Sequence, residues 1–472
     1  MQKIINYLLL LFLFLLPLQT RWIWHYGELN KGYWEYGTFS IYATEILLWV
    51  ILLLFFVQNF IGKDAWAGLL ANKKAKSLVL FLLFFGLSAA LSVNFWVSYN
   101  FVFHILEGMA LFVVLSTVIP AKAGIQSPVN LDSRFRGNDR AIALWLGAVA
   151  QGALAISQFL NQHIFASSWL GMAEQSAKEL GPSVIEFANQ RWLRAYGSFG
   201  SPNSLGIYLA VLFVLGLILY LKAESGRNKI LISAGQLFIL SGLLLSFSRG
   251  AWLAAAVGIV SLLVVISTGA KRNGEIPYTS GVKACLPAGR DPSTAVGMTL
   301  VKDFAKQISF ASAVIIFWVV IFYPVFTARF DFGNRLEAKS ISERQNQYAE
   351  AFSFIKSNPI LGVGPGAYTY ALYKKYPTLS SWQYQPIHDI YLLAVVEVGL
   401  AGFIFLFFLF KRLFGMIIKN NLIYAPAVAT LIFSGIFDHW LVSMFTGIIF
   451  WWVVWGVVYA DNSQIVDIYQ IK

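Results

Sequence analysis

The apolar residues of this chain come in runs of about twenty, the length a helix needs to cross a hydrocarbon core of about 30 Å. That feature decides the fold class, because backbone polar groups inside a bilayer must be satisfied within the segment, as a helix does. Composition agrees: of 472 residues 58% are hydrophobic and only 12% are charged, against about 25% charged in soluble domains. A water-soluble enzyme is excluded, and an all-α, polytopic integral membrane protein is expected. Runs bounded by polar loops give twelve spans, at 4–20, 38–61, 77–97, 101–119, 141–160, 203–221, 230–247, 250–268, 307–327, 388–410, 422–438 and 441–460. The first is kept as a span because Leu18-Gln19-Thr20 is a poor small-residue cleavage site. The single cysteine, Cys285, excludes a disulfide framework or a cysteine-based metal site.

A net charge of +12 would in a soluble chain suggest nucleic acid. With a cytoplasmic N-terminus, however, the inner segments hold 22 of the 35 Lys and Arg, among them Lys73, Lys74, Lys222, Lys229, Lys411 and Arg412. The charge then divides into +13 inside, +2 outside and −3 from Glu45, Glu107 and Glu397 within spans. This is the positive-inside bias, so the charge reports topology, both termini are cytoplasmic, and nucleic acid drops out as a partner.

Residues 1–160 thus hold spans 1 to 5, 161–202 an outer loop, 203–327 spans 6 to 9, 328–387 a large outer loop, and 388–472 spans 10 to 12 with a short inner tail. Loops as long as the two outer ones usually carry binding or catalytic groups. The first shows weak helical patterning over Met172 to Phe187. In the second, Tyr348, Phe352 and Ile355 fall on one face of an amphipathic helix that Asn358-Pro359 stops. The inner inserts 118–140 and 269–306 contain Gly/Pro-rich stretches, the second at 285–299, that are unlike a span or an amphipathic helix. They resemble translated bacterial repeat elements and are expected to carry no chemistry.

Unusual polar residues gather at the outer ends of spans: Arg191, Arg194, Arg249, His388, Asp389, Asp438 and His439. In RWLRAYGSFGSPNSLGIYLA, two arginines precede Ser201, Pro202 and Asn203, which supply an N-cap candidate and a proline for a helix start. Guanidinium forks match phosphate oxygens, although arginines at this level also anchor chains among lipid headgroups. LLLSFSRGAW puts Arg249 at an outer corner, against the positive-inside bias; a snorkelling arginine is the plainer alternative to an anion site. Gly362, Gly364 and Gly366 form a flexible turn, and His388 stands at the mouth of span 10 with an ordinary pKa near 6.5. Glu397 lies about half a turn away from it on a regular helix, so the two should not pair, and Glu397 needs a polar partner or a water-filled cavity. Gly399 and Gly402 suit close helix packing.

These segments, with NPILGVGPGAY and HDIYLLAVVEVGLAG, resemble the O-antigen ligase family, which is similar to the O-antigen polymerases and to bacterial protein O-glycosyltransferases. The resemblance covers most of 190–402. The family signature is a His, usually followed by Asn, Ser or Gln, then nine residues and Gly-x-x-Gly. His388, Gly399 and Gly402 match it, with Asp389 in the amide position. The resemblance implies a GT-C-like membrane glycosyltransferase of lipopolysaccharide biosynthesis. It would move a glycan from undecaprenyl diphosphate to an acceptor hydroxyl on the outer face of the inner membrane, with no metal and no cofactor. Arg191 or Arg194 and Arg249 would hold the diphosphate, and His388 would act as base or orient the acceptor. Asn203, Arg344, Gly364, Gly366 and Asp389 are the further substrate-binding candidates. The implied partners are the lipid-linked glycan, a glycan or lipid acceptor, and membrane lipids. The His and Gly-x-x-Gly spacing favours a ligase over a polymerase. A bicarbonate-type transporter is disfavoured because no internal repeat is visible and most polar candidates lie at the outer surface.

Overall fold

The computed structural model describes residues 1–60, 83–117, 138–271, 292–331, 333 and 335–460. Among the described residues, seven helices are long and apolar enough to cross a membrane, and four more apolar helices are shorter. Each of the twelve expected spans has a helical counterpart, the third represented by the helical residues 83–90.

The helices used below are α1 (Gln2–Leu15), α2 (Ala43–Phe60), α3 (Phe95–Thr117), α4 (Asp139–Asn161), α5 (Pro202–Lys222), α6 (Gly226–Leu245), α7 (Arg249–Lys271), α8 (Pro292–Ile321), α9 (Tyr323–Arg329), α10 (Arg335–Ser357), α11 (Tyr368–Lys375), α12 (Ile390–Asn420), α13 (Ala425–Ser434), α14 (Trp440–Ser443) and α15 (Phe445–Ala460). The centre of the bundle is α5. Its sequence is apolar on every face, the pattern of a helix enclosed by others, and its membrane-length window is wholly buried among α4, α6, α7 and α13.

The two ends of the bundle differ. At one end Lys229 pairs with Asp303, Lys306 reaches the same carboxylate at 3.1 Å, and Lys222 donates to the Tyr424 hydroxyl at 3.0 Å. At the other end the described residues form four two-stranded antiparallel ribbons: β1 (Arg21–His25) with β4 (Phe39–Tyr42), β2 (Glu28–Leu29) with β3 (Gly32–Tyr33), β5 (His163–Ile164) with β6 (Gln175–Ser176), and β7 (Val184–Phe187) with β8 (Gln190–Leu193).

Several expectations need correction. The stretch Met172 to Phe187 is turn and short strand, not helix: Ala188 and Asn189 both take positive φ, +47° and +62°, which makes the tight hairpin turn that pairs Val184–Phe187 with Gln190–Leu193. The amphipathic helix exists and ends at Ser357 as expected, but its buried face carries Ala351 and Phe354, while Phe352 is 59% exposed. The second inner insert is helical from Pro292 onward. The rest of that insert as far as 291, with Cys285, and 118–137 of the first lie outside the described residues. Span 10 is not regular. Gly399 sits at φ +67°, ψ 179° inside α12, and only glycine fits there, since a Cβ would stand 2.0 Å from the Ile360 carbonyl oxygen.

Candidate functional site

Six stretches of chain converge at the ribbon end. Where β8 stops, Arg194 turns inward and is only 8% exposed. Its Nε donates to the Ser246 carbonyl and its Nη2 to Asn203 Oδ1, both at 2.8 Å. Asn203 is presented by the first turn of α5, where Ser201 caps the helix by accepting from the Ser204 N–H and Pro202 occupies the first position. The Asn203 amide then donates to Asp438 Oδ2 at 3.2 Å. Asp438 also accepts from the Trp440 N–H at 2.9 Å.

The corner between α6 and α7 places Arg249 beside α9 and α10. Its Nη2 donates to Glu337 Oε2 at 2.6 Å and its Nη1 to the Arg329 carbonyl at 3.3 Å. Arg329 ion-pairs with the other Glu337 oxygen and donates Nε to the Phe247 carbonyl at 2.9 Å. From α10, Arg344 reaches the Phe437 carbonyl at 3.4 Å. Burial, then repulsion from Arg194, Arg249 and Arg344, pulls Arg329 below the usual arginine range; burial lowers Arg194 to about 10, still charged at neutral pH. Four guanidinium groups thus face two carboxylates, Glu337 and Asp438. The surplus of positive charge is the complement of a diphosphate-sized anion.

His388 sits beside this cluster, just before α12. Gln347 of α10 holds it: one amide oxygen accepts from the His388 backbone N–H at 3.3 Å and lies 2.9 Å from Nδ1. The same amide donates to the Pro386 carbonyl at 3.4 Å. Because the oxygen is fixed as an acceptor, Nδ1 carries the proton and Nε2 keeps its lone pair. Burial, reinforced by His439 at a ring distance of 5.2 Å and by Arg344, pushes His388 down to about 4, with Asp438 and Glu343 acting the other way. His439 is lowered too, by burial, and its Nδ1 bonds Ser443 Oγ at 2.6 Å. Burial would raise Asp438, but the two imidazoles, the Trp440 N–H and the Asn203 amide more than offset it and keep the carboxylate below its ordinary range. The arrangement pairs a neutral base with a concentrated positive field.

Of the sequence candidates, the structure brings together Arg194, Arg249, Asn203, Arg344 and His388. It does not bring Arg191 to them: that side chain lies along the β7–β8 ribbon, 3.9 Å from Glu186 and donating to the Glu179 carbonyl at 2.7 Å. Asp389 caps α12, accepting from the Tyr391 and Leu392 N–H groups at 2.9 and 3.0 Å, a task that Asn or Ser at the same position would also perform. The glycine turn is held against Glu397, and Gly366 and Glu397 both line a cavity at this end of the bundle. Gly364 donates to the Glu397 carbonyl, Gly366 to its carboxylate at 2.8 Å, and the Tyr368 N–H approaches the same carboxylate at 3.4 Å. Glu397 and His388 do not pair, as expected, and Glu397 finds its polar partners in that turn.

Sequence reasoning misses Arg329, Glu337 and Gln347. Arg329 carries the same signal as Arg249, an arginine on the side the positive-inside bias leaves bare; nothing in the sequence marks Gln347.

Residues 234–407 match the protein family described as O-Antigen ligase. The match spans rather more than a third of the chain and includes Arg249, Arg329, Glu337, Arg344, Gln347 and His388. Arg194, Asn203, Asp438 and His439 lie outside it. No curated protein matches the chain.

Proposed function

We propose that this chain, whose match to the O-antigen ligase family over residues 234–407 supports a membrane glycosyltransferase of the ligase or polymerase type, moves a glycan from undecaprenyl diphosphate to an acceptor hydroxyl on the extracytoplasmic face of the inner membrane. The observation that carries this reading is His388, its ring held by Gln347, beside four arginines that outnumber the carboxylates bonded among them. The acceptor hydroxyl gives its proton to His388 Nε2 as its oxygen attacks the anomeric carbon. The bond from that carbon to the phosphate oxygen breaks, and the electron pair leaves with the lipid diphosphate. Arg194, Arg249, Arg329 and Arg344 stabilise the charge gathering there, an effect that a desolvated, preorganised site magnifies. Asn203 ties Arg194 to Asp438 and thereby joins the cation cluster to the histidine pair.

Reconstituted protein supplied with lipid-diphosphate-linked glycan and acceptor is expected to lose transfer by about 10²–10⁴-fold in His388→Ala, and strongly in Arg249→Ala, with Arg191→Ala near wild type. Undiminished transfer in His388→Ala, or solute flux without transfer, would sink the reading. The His and Gly-x-x-Gly spacing favours ligase over polymerase. A deletion strain accumulating free lipid-linked polymer supports that choice, and one making single capped repeat units reverses it.

A further inference from the structure

A second polar cluster lies inside the bundle, on elements the transfer site does not use. Glu45 projects from the first turn of α2, and His104 and Glu107 stand three residues apart on one face of α3. All three are buried, at 2%, 7% and 5% exposure. One ligand atom from each, Glu45 Oε1, His104 Nδ1 and Glu107 Oε2, lies within 4.8 Å of the others. Nδ1 is 2.8 Å from Glu107 Oε2 and 4.0 Å from Glu45 Oε1.

The remaining polar atom of each residue is engaged from outside the cluster. Glu45 Oε2 accepts from the Tyr42 backbone N–H at 3.0 Å, and Glu107 Oε1 accepts from the Trp49 indole. His104 Nε2 lies 3.3 Å from the Asn100 amide. As placed, the Asn100 amide nitrogen donates to Nε2 and Nδ1 donates to Glu107; an ion bound at Nδ1 takes the place of that proton, and turning the Asn100 amide over lets Nε2 donate to its oxygen. Outer partners of this kind fix ligand orientation and tautomer in metal sites. A cavity of about 70 Å³ reaches the cluster, lined by His104 and Asn100 along with Tyr36, Tyr42, Thr369 and Ser443. Thr369 Oγ1, on a residue 2% exposed, is buried there without a hydrogen-bond partner among the described residues. The cavity has room for several waters, each needing roughly 10–15 Å³.

We propose that Glu45, His104 and Glu107 bind one divalent first-row transition ion, of the zinc or manganese class, with cavity water completing its coordination. One imidazole and two carboxylates suit such ions, whereas magnesium and calcium favour all-oxygen sites. Two carboxylates, a neutral imidazole and a divalent ion sum to zero charge, which answers the cost of burying two acids in the bundle. The ligand atoms need to close by less than about 1 Å each to reach metal–ligand bonds of about 2.0–2.2 Å. The ion stands apart from the transfer chemistry. It ties α2 and the Tyr42 end of the β1–β4 ribbon to α3, and that ribbon connects to Tyr36, whose ring lies 5.8 Å from His439.

The test reads binding and needs no transfer assay, so it fails or succeeds independently of the proposed activity. Wild-type protein in lipid nanodiscs, stripped with a chelator and titrated separately with Zn²⁺ and Mn²⁺, is expected to retain one ion per chain. Co²⁺ in its place should show visible absorption distinct from the aqueous ion. Glu107→Gln and His104→Gln should abolish retention, while Trp49→Phe, which keeps all three ligands, should weaken it about 10–100-fold. If the ligand variants do not fold, the wild-type cobalt spectrum and Trp49→Phe carry the test. No retained ion in the wild type overturns the site, as does an affinity that Trp49→Phe leaves unchanged. A protonated-carboxyl infrared band that Zn²⁺ leaves unaltered also overturns it, and identifies the triad as a proton-sharing cluster.

Discussion

At the scale of single residues, the decisive contact is a side-chain amide. Gln347 accepts from both the backbone N–H and the ring of His388, so removing it frees the ring to adopt the wrong tautomer. Gln347→Ala is expected to lower kcat by about tenfold or more while leaving donor KM nearly unchanged, and Gln347→Glu should shift the pH profile by placing an anion beside the imidazole; steady-state kinetics against pH read both. Burial and His439 depress the pKa of His388, so its base form persists well below the ordinary histidine range. The acidic limb of kcat/KM should therefore fall nearer pH 4 than 6.5. The same shift bears on stability. Between those values the unfolded chain binds the proton that the folded one refuses, so stability from this group declines as pH falls through that window. A limb near 6.5 would mean that His388 is solvated or is not the base.

At the scale of elements, α12 is two helical pieces joined at Gly399, whose φ and ψ are accessible essentially to glycine alone. The break lets the backbone carbonyls of Val396 and Glu397 pair with Val363 and Gly364, and so the glycine turn, α12 and the His388 mouth form one unit. Gly399→Ala is expected to cost about 1–3 kcal/mol plus the clash with Ile360, visible as a lower midpoint in thermal unfolding in detergent and as lost transfer. The spans, the α10 helix with its stop, and the position of His388 were legible in the sequence because hydropathy, Asn358-Pro359 and motif spacing are local signals. The ribbon over Val184–Leu193 was not, since its turn rests on two non-glycine residues with positive φ. The choice between Arg191 and Arg194 was equally hidden: three residues apart, they carry identical chemistry, and only the strand running into a buried corner separates them.

At the scale of the whole molecule, the two ends of the bundle have opposite characters, lysines and Asp303 at one and the arginine–histidine site at the other. With the site outside, a cysteine at the 93% exposed Leu180, introduced into a Cys285→Ser background, should react with an impermeant maleimide in spheroplasts. Native Cys285 should react only in inverted vesicles, and the reverse pattern would turn the topology over. The six stretches that form the site run from Arg194 to His439, and the last of them, with Asp438, comes just before the final helices α14 and α15. During synthesis at roughly 5–20 residues per second, the first arginine therefore waits on the order of ten to fifty seconds for its last partners. A nascent chain holds an incomplete cation cluster throughout that interval, so the proposed site is completed in one step, when the loop carrying Asp438 and His439 has been threaded through the membrane.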